Sequence, residues 1–423
     1  MPSTLRSSLE ELSGISAEEL GERAADERDP LPAVLPPEGI TAIRIRDAVA
    51  KTPPGAGTLH LSGVQGCAGA AVVSALSAAT GRPVVLVTSD LDGARRLADD
   101  VAFFVRSTTD EATAEDTAQG DVLVLAASES SPYADVTPDR RAAMSRMATL
   151  FHLAGGLPWK VLVVPAVGLA RKMVPRAVVK AHTHRVVAEE ELDRETLVRA
   201  LAESGYLRVP VVEDPGSFAV RGALLDVWPP NLENPVRVEM YGELVLSIQP
   251  FDPHEQRTKK TAGEETKLRE VWLPPARESV LTRDHVTRAR THIQELADAI
   301  DLPTMRARAL IDDVTAGRAF FGAEGMLPAY YEALEPLARY LPERAVVVLE
   351  DPAAITKALR EELERAEGDV IAKKKDVAFA PGAFYASEEA VAADLGARTV
   401  VALHRTPVVG GSTEGLAAWE IAR

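Results

Sequence analysis

Between Thr58 and Ala166 the chain alternates short, unbroken apolar runs with amphipathic segments, and no other feature restricts its fold as tightly. TLHLS (58–62), PVVLVTS (83–89), DVLVLAAS (121–128) and KVLVVPA (160–166) each have the length of one strand. A strand that is apolar at nearly every position, rather than at every second one, is covered on both faces, as in a parallel sheet between two helix layers. The segments between the runs include VVSALSAATG, LDGARRLADDVAFFV and DRRAAMSRMATLFHLAG, which carry helical spacing. These observations predict an α/β fold with a doubly wound parallel sheet. A further apolar run, AVVVLE (345–350), lies far downstream and is also followed by a helical pattern.

The turn after the first strand, GVQGCAGA (63–70), sits where a nucleotide-binding protein of this class carries its phosphate loop. That loop needs G-x-x-x-x-G-K-[ST]: backbone N–H groups cradle phosphate, the lysine reaches the outer phosphates and the hydroxyl holds the metal. Counted from Gly63, the second required glycine is Ala68, the lysine position is Gly69 and the hydroxyl position is Ala70. Gly66 lies inside the turn, and the helix dipole behind it could hold a lone anion only weakly. Nothing in this loop neutralises a triphosphate, so the expectation is a structural turn, with ATP binding lost and no cofactor. Cys67 in the same loop reads as a small apolar filler. The other half of such a site is an acidic pair at the end of a buried strand. Glu350 and Asp351 occupy that place in reversed order before Pro352, and a helix N-terminus there accounts for them without catalysis.

Beyond Pro175 the pattern changes. Residues 178–187 read as a strand, Arg194–Ser204 as a helix capped by Asp193, and SFAVRGALLDVWP, PVRVEMYG and ELVLSIQPFD as short alternating strands of an antiparallel sheet. A small α+β domain is therefore inserted over 175–262. Upstream, residues 1–25 read as a short helix and 29–39 as a Pro-rich linker; downstream, 375–423 has no clear pattern. His182 and His184 would share one strand face, but two histidines without a third ligand do not make a zinc site. Lys373–Lys375 and Glu189–Glu191 read as solvated surface.

Composition narrows the function classes. The formal net charge of −16 disfavours a free-standing DNA binder, because duplex affinity comes mainly from Lys and Arg on phosphates; DNA contact would be weak or indirect. A single cysteine excludes an internal disulfide and a thiolate zinc cluster and fits a cytoplasmic setting. No apolar run approaches membrane-spanning length, so no membrane partner is expected.

Three stretches carry a resemblance: YADVTPDRRAAMSRMATL, KVLVVPAVGLARKMVP, and the long segment from Gly205 to Thr258. Within the last, the ordered set is Gly216, Phe218, Val220-Arg221-Gly222, Asp226, Pro229, Arg237-Val238-Glu239, Ser247-Ile248, Phe251-Asp252 and Gln256-Arg257. Over residues 58–350 the chain resembles the N-terminal region of bacterial transcription-repair coupling factors (Mfd), itself similar to the excision-repair protein UvrB. After the N-terminal helix and linker read from the residues (1–39), the resemblance implies a RecA-like, P-loop-NTPase-type domain 1A with a degenerate loop (40–174) and a UvrB-interaction domain that docks UvrA (175–262). Domain 1B and a C-terminal segment (263–423) would complete the RecA-like region. It also implies partner-binding arginines at Arg194, Arg199, Arg208 and Arg221, with Arg221 also placed to support its neighbouring turn. Full-length members are ATP-driven DNA translocases that also bind RNA polymerase; those domains have no counterpart in these residues, so contacts to polymerase or to a motor subunit would run through other segments.

Three functions remain open at this stage. The first is a DNA-repair adaptor that recruits UvrA in transcription-coupled nucleotide excision repair and is not itself an enzyme. The second is a fragment of an ATP-dependent DNA translocase or helicase with residual nucleotide binding. The third is a regulatory clamp over a separate motor, which would expose a large apolar patch.

Overall fold

A computed structural model describes residues 40–107, 120–405 and 418–420, apart from residues 56, 128, 129, 138, 259, 262, 263, 266 and 374. The helix read over 1–25, the linker at 29–39 and most of the acidic loop at 107–120 lie outside the described residues.

The strands β1 (Thr58–Ser62), β2 (Val84–Thr88), β3 (Val122–Val124) and β4 (Val161–Pro165) are those read from the apolar runs. They belong to a parallel sheet together with three later strands. The inserted unit supplies β5 (His184–Val187), β6 (Leu207–Arg208), β7 (Ser217–Arg221), β8 (Leu224–Val227), β9 (Val236–Tyr241), β10 (Leu244–Pro250), the short pair β11 (Lys260–Thr261) and β12 (Glu264–Glu265), and β13 (Glu270–Leu273). The chain then returns through β14 (Val346–Glu350), β15 (Thr399–His404) and β16 (Ala418–Glu420) to the first sheet, whose order is β16-β1-β15-β14-β2-β4-β3. All of its pairings are parallel.

The uninterrupted apolar strands have the expected physical cause. Val84, Leu86, Val161, Val163, Val346 and Val348 face one core, against Val72, Val73 and Val101 of the helices Ala68–Thr80 and Leu91–Ser107. Val85, Val87, Leu162, Val164 and Val347 face the opposite core, against Met147 and Leu150 of the helix Arg140–Gly155. Successive strand residues point to opposite faces, and here each face is dry, so both halves of the alternation are apolar. Each such side chain contributes about 1.5–3 kcal/mol of transfer free energy.

The inserted unit is built on a different sheet, ordered β10-β9-β8-β7-β6. One face packs Phe218, Leu225, Val227, Val238 and Ile248 against Leu197 and Leu201 of the helix Arg194–Glu203. That helix begins where the sequence places its cap, with the Asp193 carboxylate accepting from the N–H groups of Glu195 and Thr196. Met144 on the helix Arg140–Gly155 is buried in this same core, and the Phe151 and Trp272 rings lie 6.4 Å apart, so the two units share a packed seam.

Two sequence expectations need correction. Residues 178–187 are not one strand: Arg176–Ala181 is a helical turn and the strand starts at His184. Pro175 faces the start of that turn, its carbonyl accepting from Val178 and Val179, and Val179 drops into the first domain's core; the adjacent valines read as strand only without that context. His182 caps this turn and packs edge-on against His285, 5.7 Å between ring centroids, instead of sharing a strand face with His184. In addition, β13 pairs with β5, which carries the inserted unit to Leu273, past the 262 boundary read from the sequence. Among the described residues no helix is long and apolar enough to cross a membrane, and no group of three or more His, Cys, Asp or Glu side chains is placed to hold a metal ion.

Candidate functional site

Two places carry the residues singled out by the sequence: the turn after β1 and the inserted sheet.

At the turn, Gly63 and Gly66 adopt left-handed backbone conformations, at φ 80° and 59°. The Val64 N–H donates to the His404 carbonyl at 3.1 Å, pinning the loop to β15, and the Ala68 N–H closes back on the Gln65 carbonyl at 3.2 Å. The helix Ala68–Thr80 then starts with Gly69 and Ala70 already buried. A Cβ at Gly69 would meet Leu403 Cδ1 and Val64 Cγ1, each at 3.7 Å, and Ala70 is a core residue. The two positions that hold a lysine and a hydroxyl in a working phosphate loop are thus helix–sheet packing positions here. Cys67, expected as apolar filler, is exposed, because it precedes the first helical turn and its side chain faces away from the sheet's core.

The acidic pair at the end of β14 divides into two roles. Asp351, at φ 59°, accepts from the Ala354 N–H at 3.2 Å and caps the helix Pro352–Ala372, with Pro352 in the first turn where its missing N–H costs nothing. Glu350 is half-buried, and burial raises its pKa against the opposing pull of Arg405 and Arg96; Arg405 Nη2 lies 3.8 Å from its carboxylate. Beside this turn the rings of His60 and His404 stack on adjacent strands with ring nitrogens 2.8 Å apart. Burial, then the charge of His404, lowers the pKa of His60. No local pattern marks this pair, since 344 residues separate the two.

In the inserted sheet the four arginines fall into two pairs. Arg194 Nη1 donates to the Gly222 carbonyl at 2.6 Å, tying the start of its helix to the β7–β8 turn. Arg221 Nη2 donates to the carboxylate of Asp226 at 2.5 Å. Arg199 and Arg208 are exposed; the Arg199 charge acts on the Asp193 carboxylate and helps to lower its pKa, whereas the Arg208 side chain has no hydrogen bond or ion pair among the described residues. Arg208 lies on β6, the outermost strand of the sheet, next to Leu207, which is 54% exposed, and near Val211, which is 36% exposed.

Asp226 is the centre of a network that sequence reasoning did not assemble. It is fully buried and also accepts from Arg237 Nε and Nη2 at 2.7 and 2.9 Å, a two-pronged contact that matches the planar guanidinium. The bond to Asp226 raises the Arg237 pKa against the effect of burial. The Arg237 guanidinium lies 4.7 Å from the Phe251 ring centre. Gln256, at φ 57°, receives Arg237 on its backbone carbonyl and Arg221 on its side-chain oxygen, and its own amide donates to the Val212 carbonyl at 3.1 Å. The signal was present in the sequence, because Arg221, Asp226, Arg237, Phe251 and Gln256 all belong to the ordered set that carries the resemblance. What the sequence lacked was the register that sets Asp226 opposite Arg237.

Residues 185–278 match the UvrB interaction domain. The chain is similar to the transcription-repair-coupling factor of Myxococcus xanthus, 38% identical over 330 residues, which is 75% of this chain and 26% of that protein. It is also similar to those of Bacillus subtilis, at 26% identity over 74% of this chain and 26% of the relative, and of Escherichia coli, at 28% over 75% and 25%. The chain spans about a quarter of the length of these relatives. The region they share with it is the N-terminal, UvrB-like one.

Proposed function

Starting from a UvrB interaction domain seated in a frame similar to the N-terminal region of transcription-repair-coupling factors, we propose that this chain is a docking module that recruits UvrA in transcription-coupled nucleotide excision repair. The observation that carries the reading is the β6 end of the inserted sheet, a terminal strand that carries an exposed charge and has no further strand beyond it among the described residues. Arg208 stands there between exposed apolar side chains, a mixture typical of protein interfaces, where arginine beside aliphatic contacts supplies much of the binding energy. Arg199 offers a second exposed guanidinium on the helix that backs the sheet. Guanidinium forks suit carboxylates, so the expected patch on UvrA is acidic. Arg194 and Arg221 act by holding the β7–β8 turn, and they set the surface without needing to touch the partner.

The turn after β1 supports a non-catalytic role. The lysine and hydroxyl positions are packed, and Asp351 is occupied as a helix cap, so neither triphosphate charge nor a metal has its usual partners; ATP is not used by this chain. Contacts with RNA polymerase or a motor would belong to other parts of the longer relatives.

The test is a titration of UvrA into the wild-type chain and into the Arg199→Glu/Arg208→Glu variant. The reading expects the double reversal to weaken binding at least about ten-fold, as loss of interface arginines does. Unchanged affinity in a folded variant removes this surface as the docking site.

A further inference from the structure

Next to the inserted unit the helix Arg140–Gly155, the segment Ala276–Ser279 and residues 317–330 line a partly open cavity of about 240 Å³. Its lining holds six basic side chains, Arg140, Arg146, Arg171, Lys172, Arg277 and Arg318, against only two acidic ones, Glu278 and Glu324. Those two carboxylates are already committed. Glu278 pairs with Arg146 at 2.7 Å, and Glu324 with Arg171 at 3.0 Å. Arg318 is paired with Asp313 outside the cavity at 2.9 Å, and Lys172 donates to the Gly382 carbonyl.

Arg140 and Arg277 form no salt bridge among the described residues, although the charge of Asp214 acts on Arg140, and Tyr330 and Tyr331 act on Arg277. Arg140 Nη2 donates to the Gly216 carbonyl at 2.5 Å, and Arg277 Nη1 to the Gly317 carbonyl at 3.1 Å. Arg277 Nε is buried with no hydrogen-bond partner. Burial lowers the pKa of both guanidiniums, and for Arg277 the charge of Arg140 adds to that effect. Two partly desolvated like charges, one of them carrying an unsatisfied N–H, are costly unless something negative joins them.

The chain has also cleared room for these side chains. A Cβ on Gly205 would lie 2.4 Å from Arg277 Cγ, and one on Gly317 would lie 2.5 Å from Arg277 Nη1. Both glycines are left-handed, at φ 91° and 61°, so no other residue fits easily. The remaining wall is apolar, with Leu125, Phe320, Leu327 and Phe384.

We propose that this cavity binds a small phosphomonoester, with the phosphate between Arg140 and Arg277 and an apolar or aromatic body against Leu327 and Phe320. A monoester phosphate carries close to two negative charges at neutral pH and three acceptor oxygens, enough to engage both guanidiniums at once, whereas a carboxylate supplies one charge and two oxygens. The site is independent of the docking edge and of the turn after β1.

The experiment is calorimetric titration of the full chain with phenyl phosphate, alongside benzoate, phenol and inorganic phosphate. Saturable binding of phenyl phosphate is expected, with each of the other three at least about ten-fold weaker, because each lacks one charge, both charges or the apolar body. Arg277→Gln is expected to weaken phenyl phosphate about ten-fold or more. Ala319→Trp, at the exposed rim, is expected to block entry while leaving the core and the Arg277 guanidinium as they are; it carries the test if Arg277→Gln does not fold. No saturable binding of phenyl phosphate overturns the proposal. So does equal binding of benzoate, phenol or inorganic phosphate, or affinity unchanged in the folded variants.

Discussion

The turn after β1 and the sheet of the inserted unit meet the same problem, what to do with polar positions near a core, and solve it in opposite ways. At the turn, the positions that would carry lysine and hydroxyl have become Gly69 and Ala70, packed on Leu403 and Val64. In the inserted sheet the charges are kept and satisfied: Asp226 is buried, but two arginines and the Gln256 turn close around it. A region that has lost its chemistry keeps its backbone; around Asp226, the buried charge is kept because partners close around it. The surface left for recognition is then the part of the sheet that the network does not use, the β6 edge with Arg208.

Asp226→Ala is the most severe way to break this comparison. It leaves Arg237 partly buried without a counter-charge, and the expected loss is about 3 kcal/mol in denaturant unfolding; Arg221 can turn to water, which holds the cost at the low end for a broken buried pair. A loss below about 1 kcal/mol would mean that the network is ornamental. Ala70→Thr probes the other region. Its hydroxyl would be buried in the helix–sheet core, with an expected cost of about 2 kcal/mol and no gain of ATP affinity in calorimetry. Recovered nucleotide binding would show that the loop needs only its hydroxyl back. Asp351→Ala should cost about 1 kcal/mol, the value of a helix N-cap, since the carboxylate's partner is the Ala354 N–H.

Acid should loosen both regions by a smaller amount. His60 beside the turn, and His182 and His184 at the base of the inserted unit, are all held below the ordinary value of 6.5, in each case chiefly by burial. A depressed histidine leaves stability intact above its unfolded pKa. As pH falls below about 6.5 the unfolded chain takes up protons first, so stability declines until the folded pKa is passed. The melting temperature should therefore fall between neutral pH and pH 5.5, and His60→Asn should reduce the slope. Arg208→Glu is the mildest change to the fold, below about 0.5 kcal/mol, because its side chain has no partner among the described residues.

Much of the first sheet was legible because parallel strands under two helix layers announce themselves as continuous apolar runs. Its order was not. β14 and β15 enter between β1 and β2 although β14 begins more than 250 residues after β2 ends, and no local pattern encodes which neighbour a distant strand selects. The inserted strands were equally legible as alternating runs, and the cap at Asp193 was read from local chemistry alone. The Val178-Val179 pair misled because its burial comes from the first domain and not from a sheet. At the candidate site, the arginines could be chosen by motif position, but sorting them into tied and free required the β7–β8–β9 register, which sets Asp226 between Arg221 and Arg237.

The account stands most directly on a comparison of two UvrA titrations, one with Arg208→Glu at the sheet edge and one with Gln65→Ala in the turn after β1. It predicts affinity reduced at least about ten-fold by the first and unchanged by the second, with both variants folded. Affinity lost through the turn and kept at the edge would contradict it.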